Sequence, residues 1–213
     1  AANAVSASTA TNPAPDTEEL LRLRLENAKA AAELKRRTDR EHTDSREVLA
    51  RAIKKGDLDV IKEVLTGGRR LQLGSLVNRR AVARINARSP RGGATPLSDT
   101  ALHGHIEIVK YLIERGAKVG ATNNDGNTPL HVAAFLCRSE IVQLLLDKGA
   151  SPLTKNKRGE TPIDVVSSPW TRQLADFYTG IGRSSGFKLD LKRTERERPQ
   201  IARQLQKSAA KSK

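Results

Sequence analysis

Apolar residues along this chain fall in paired blocks at helical spacing. Ile106, Ile108, Val109, Leu112 and Ile113 lie on one side of a helix, the pattern of a segment that buries a single stripe. Residues 124–147 show the paired design most fully. A polar turn leads to a short helix opened by Thr128-Pro129-Leu130-His131. A break near Cys137-Arg138 follows, and then a second helix that ends at Gly149. The marker residues recur 33 positions away in both directions. Thr95-Pro96-Leu97 becomes Thr128-Pro129-Leu130 and then Thr161-Pro162-Ile163, while Gly116-Ala117 becomes Gly149-Ala150. Proline suits the first helical position, where its missing N–H costs nothing, and glycine suits the left-handed residue that ends a helix. A fixed interval with two helices per unit predicts an all-α solenoid.

The same pattern sets the boundaries. Residues 1–15 are small, polar and proline-containing, which predicts a disordered linker. Asp16, with Glu19 three residues on, reads as a capped helix start, and residues 16–44 as an N-terminal helix. It carries two adjacent stripes: Leu20, Leu23, Asn27, Ala30 and Leu34, and Leu21, Leu25, Ala28 and Ala32. Packing on the solenoid is the favoured use, with a short coiled coil as the alternative. Residues 45–68 form a divergent first unit, with Leu49, Ile61 and Leu65 matching Leu97, Val109 and Ile113 at an offset of 48. A basic insertion within residues 69–93 follows, with a candidate helix over 76–87. Units two and three occupy residues 94–122 and 123–153. A fourth begins at Thr161 but departs at Pro169, which stops a helix. Trp170, Phe177 and Tyr178 then mark residues 171–178 as its altered second helix and as the cap of the stack. The repeat domain thus covers residues 45–182, and a basic helical extension covers 183–206. In that extension Pro199 is expected to open a last helix with Ile201, Ala202 and Leu205 inward. Residues 207–213 are expected to be disordered.

Composition narrows the picture. Hydrophobic residues make up 37% of the 213 and aromatics 3%, which allows a modest aliphatic core. No run of 18 or more apolar residues encodes a membrane span. The single cysteine, Cys137, rules out an internal disulfide and any multi-cysteine zinc site. Net charge is +14, and it is localised. Residues 1–66 and 94–182 are each neutral, residues 67–93 carry seven arginines and no acid, and residues 183–213 carry a net +7. Charge placed this way marks a partner surface. Arg69, Arg70, Arg79, Arg80, Arg84 and Arg88 form the candidate basic patch. Arginine favours bidentate contact with phosphate, so RNA or an anionic surface is one reading of these segments and an acidic protein the other. Base stacking would have only Phe187 to use.

Catalytic chemistry is not encoded in any recognisable form. No P-loop, dinucleotide fingerprint or serine elbow is present. His131 follows Thr-Pro-Leu and is positioned to bond turn backbone. His103 and His105 lack the cysteines that a zinc site would add. Cys137 has no base beside it in sequence. No enzyme, no cofactor and no metal is therefore expected.

The motif Gly126-Asn127-Thr128-Pro129-Leu130-His131-Val132-Ala133-Ala134, followed by Glu140-Ile141-Val142-Gln143-Leu144-Leu145-Leu146 and Gly149-Ala150, resembles the ankyrin-repeat family. The resemblance covers about residues 45–180. Ser98 and Asp164 depart from it where the family has histidine. Beyond it, Trp170 and the LDLKRTERERPQIARQL segment look like the C-terminal extension of some exported bacterial ankyrin-repeat proteins. The resemblance implies an ankyrin-repeat solenoid of about four helix-turn-helix units that binds another protein, through a concave face and hairpin tips, without catalysis. Carried over by position, the contact residues are Arg91, Leu102 and His103; Asn124, Asp125, Asn127, Phe135 and Leu136; and Lys157, Arg158 and Glu160. Phe135 and Leu136 are the expected apolar anchors. The competing expectation is that the N-terminal helix or the basic insertion covers them. Export to a bacterial periplasm or the extracellular space is the expected localisation, with an organelle matrix after presequence removal as the alternative.

Overall fold

The computed structural model describes residues 17–66, 84–90 and 92–211. The expected linker at 1–15, most of the basic insertion and the chain end at 212–213 lie outside the described residues. All regular structure among the described residues is helical: α1 (Thr17–Lys55), α2 (Leu58–Thr66), α3 (Pro96–His103), α4 (Ile106–Glu114), α5 (Pro129–Phe135), α6 (Ser139–Asp147), α7 (Pro162–Ser167), α8 (Arg172–Ser185) and α9 (Leu191–Lys211). None of these helices is long and apolar enough to cross a membrane. The chain forms two compact units, Ala1–Asp44 and Ser45–Lys213.

In the first unit, α1 leaves Leu21 and Leu25 exposed at 60% and 57%. That helix does not stop near residue 44 as the sequence predicts. It runs unbroken to Lys55, since residues 40–50 hold neither glycine nor proline to end it. Its last turns, in the second unit, are the first helix of the first repeat and bury Leu49, Ala52 and Ile53.

The second unit is a stack of helix pairs: α1 end with α2, α3 with α4, and α5 with α6. Each inner helix from α3 onward starts the same way. Thr95, Thr128 and Thr161 cap it in extended conformation, with proline following. The outer helices bury Ile108, Val109 and Leu112 in α4 and Ile141, Val142 and Leu145 in α6. A single aliphatic core runs through all units. Gly104 closes α3 at φ 84°, and Cys137 takes the matching place after α5 at φ 52°. A side chain is strained there, and the Cys137 thiol is held in the core, donating weakly to the Thr194 carbonyl at 3.6 Å.

The fourth unit differs from the expectation. Residues 171–178 belong to α8, which is not the second helix of that unit; α9 is. Its Ile201, Ala202 and Leu205 are buried at the i, i+1, i+4 spacing of Ile141, Val142 and Leu145 in α6. It lies against α7 and α6, and Gln204 reaches the Gln143 side chain at 2.9 Å. Helix α8 and its loop are inserted between the two halves of the unit. Pro199 therefore sits inside a helix and does not open one. The start is at Asp190, whose carboxylate accepts the Arg193 N–H at 3.0 Å. Helix α9 continues to Lys211, past residue 206, where the sequence ends it.

Candidate functional site

Hairpin tips between units are built by asparagines. Asn123 Oδ1 accepts the N–H groups of Asp125 and Asn127, both at 2.9 Å. Asn156 Oδ1 repeats this for Arg158 and Glu160 at 2.9 and 3.0 Å. Neighbouring tips are tied by Asn124 N–H to Gly92 O and Lys157 N–H to Asp125 O, both 2.9 Å. A β-carbon on Gly126 would lie 2.9 Å from the Lys157 nitrogen, so glycine there allows the fingers to touch. His131 adds a bond across units. Its Nδ1 accepts the Thr128 N–H at 3.1 Å, and its Nε2 meets the Glu160 carbonyl at 3.1 Å. That network assigns a neutral ring with the proton on Nε2, in keeping with burial, which lowers its pKa. The side chains of Ser98 and Asp164, in the same register, bond their own capping threonines.

Helix α8 makes the opposite wall. Its Leu174, Phe177, Tyr178 and Ile181 fall at helical i, i+3, i+4, i+7 spacing. Tyr178 is fully buried, stacked on Phe135 at 4.3 Å between ring centroids. Its hydroxyl donates to the Phe135 carbonyl and accepts from Arg198 Nη1 at 2.7 Å. Arg198, 3% exposed, also donates to the carbonyls of Ser168 and Val165 at 2.9 and 3.2 Å. Burial raises the Tyr178 pKa, so the phenol stays protonated. A buried guanidinium with oxygens on three sides is costly to disrupt, which fixes α8 against α5.

Between α8 and the tips lies a cleft of about 390 Å³. Leu102, Val132, Phe135 and Val165 floor it. Phe177 and Ile181 form one wall, and Asp125, Asn127, Lys157 and Arg158 the other. Phe177 is 58% exposed and meets Phe135 edge-on at 5.8 Å.

The expected contact residues are divided by this geometry. Leu102, Asp125, Asn127, Phe135, Leu136, Lys157 and Arg158 line the cleft. Leu136, at 3% exposure, is a core residue and no anchor. Phe135 is half covered, and Phe177 and Tyr178 of α8 lie against it. His103 lies away from the tips, stacked on His105 and edge-on to Phe187, and burial lowers its pKa. Asn124 accepts from Arg88 at 2.9 Å. Glu160 is occupied by Arg158 at 2.8 Å and Asn156 at 3.1 Å. Arg91, Arg69, Arg70, Arg79 and Arg80 lie outside the described residues. Arg84, half-buried, and Arg88, exposed, donate to the carbonyls of Val64 and Gly93 at 3.1 and 3.2 Å. The sequence assigns Phe177 to the cap of the stack, and Ile181 lies beyond the segment 171–178 that it reads as that cap. The four-residue apolar stripe was the available signal.

Paired helices, left-handed closures and linked hairpin fingers define a helix-turn-helix solenoid. The family model for ankyrin repeats (three copies) matches residues 49–156, and the chain belongs to that family. No curated protein matches the chain. Ankyrin repeats generally serve as protein–protein interaction modules.

Proposed function

We propose that the protein is a non-catalytic scaffold that holds a segment of a partner protein in the cleft between α8 and the hairpin tips. The observation that carries this reading is Phe177. A large aromatic side chain more than half exposed at the rim of an apolar-floored cleft is the kind of anchor on which interfaces concentrate binding energy. Open repeats offer one face, whereas here α8 supplies a second wall, so the cleft suits a single extended segment. Val132, Phe135 and Val165 match a bulky apolar side chain. Lys157 has no carboxylate partner among the described residues and stands at the rim, so an acidic residue in the segment is favoured.

The test is affinity for a partner recovered by crosslinking from the native source. Phe177→Ala is expected to weaken binding by roughly 30-fold or more and Lys157→Glu by roughly 10-fold, with unfolding midpoints unchanged. Unaltered affinity in Phe177→Ala would remove the cleft as the site.

A further inference from the structure

We infer that the exposed side of α9 is a second binding surface, one that takes the phosphate backbone of a nucleic-acid duplex without regard to sequence. Lys192, Arg196, Arg203, Lys207 and Lys211 are all exposed. At 100° per residue they fall within roughly 100° of one another, opposite the buried Thr194, Arg198, Ile201, Ala202 and Leu205. The row is roughly 28 Å long, with steps of about 6 Å between residues four apart. None of the five pairs with a carboxylate among the described residues; Arg203 donates to the Pro199 carbonyl at 3.2 Å, and Arg193 pairs with Glu197 at 2.8 Å.

The repeat architecture does not impose this charge. In the same outer-helix register α4 presents Glu107, Lys110 and Glu114, and α6 presents Glu140, Gln143 and Asp147, whereas α9 presents Gln200, Arg203 and Lys207. At these positions the two preceding helices are net acidic and the last is net basic, although α9 also carries Glu195 and Glu197. Its neighbour α6 could have neutralised it, yet the contacts between them run through Gln204 to Gln143 and to the Ser139 carbonyl. The row is thus left to an external anion.

A duplex is the anion that fits. Phosphates recur about every 3.4 Å of axis along each strand, so a row roughly 28 Å long meets several of them at once. No aromatic or bulky aliphatic side chain stands among the five, so unstacked bases find no platform and a bilayer finds no apolar wedge.

The experiment titrates the full chain against short labelled DNA and RNA duplexes over a range of salt. Five neutralised phosphates predict a slope of log affinity on log salt of about −4.5, a loss of roughly 500-fold between 50 and 200 mM. The variant carrying Lys192→Gln, Arg196→Gln, Arg203→Gln, Lys207→Gln and Lys211→Gln is expected to lose binding by at least roughly 100-fold at the lower salt, with that slope flattened. A charge-matched control carries Arg22→Gln, Arg24→Gln, Lys29→Gln, Arg46→Gln and Arg51→Gln, all at exposed positions on α1, and is expected to bind as the parent does. Equal losses in both variants would mean diffuse attraction and overturn the assignment. So would the absence of duplex binding at low salt, or tighter binding to phosphatidylserine vesicles than to either duplex. The proposal is independent of the cleft, since none of the substituted residues lines it.

Discussion

Asp99, half-buried, and His131, buried, pull the pH response of the stack in opposite directions. Asp99 sits on α3 in the register that α5 fills with Val132 and α7 with Val165. Burial lifts its carboxyl pKa from 3.8 to about 6. The folded state therefore binds this proton more tightly than the unfolded chain does, and the stability it contributes is full below pH 4 and lost as pH rises through 6. His131 acts in the other sense. Burial lowers its pKa, so its contribution is full above about pH 6.5 and is lost as pH falls through the folded value. In the parent the two effects oppose each other between these limits. Asp99→Asn isolates them: relative to the parent it is expected to gain about 1–3 kcal/mol between pH 4 and pH 7. Urea unfolding of both proteins across that range checks this. A difference that stays constant with pH would show that Asp99 titrates normally.

At the level of elements, the repeats are where sequence and structure agree most closely. Thr-Pro capping, the outer-helix stripes and the closures at Gly104 and Cys137 are local devices, fixed by chemistry within a few residues of where they act. The fourth unit was not legible in that way. Its outer helix lies some 27 residues beyond its regular place, and only the spacing of Ile201, Ala202 and Leu205 signals the register. Pro199 masked the signal, because proline opens helices more often than it sits within them. The cleft was legible on one side only. Its tips and floor follow from the repeat, whereas its α8 wall depends on where an inserted helix docks. That docking is decided by Tyr178 and Arg198, which are 20 residues apart. If α9 is a full member of the stack, Leu205→Ala and Leu145→Ala should each cost about 2–4 kcal/mol. A tail merely resting on the surface would make the Leu205 substitution cost less than about 1 kcal/mol. Denaturant titration of the two variants distinguishes these outcomes.

For the whole molecule, stability in a repeat stack is shared between neighbours, and an uncovered terminal unit frays. Here α9 covers that terminus, and through Arg198 it also holds α8 over α5. Cap, cleft wall and basic row are consequently one assembly: loosening α9 would expose the core at Val166 and Ile141, release Tyr178 and open the cleft. Native-state hydrogen exchange of the full chain reads this directly. Amides of residues 194–206 are expected to exchange with the same opening free energy as those of α6, at the limit set by global unfolding. Exchange of that segment orders of magnitude faster than α6 would contradict its place as the outer helix of the fourth unit, and with it the second wall of the cleft.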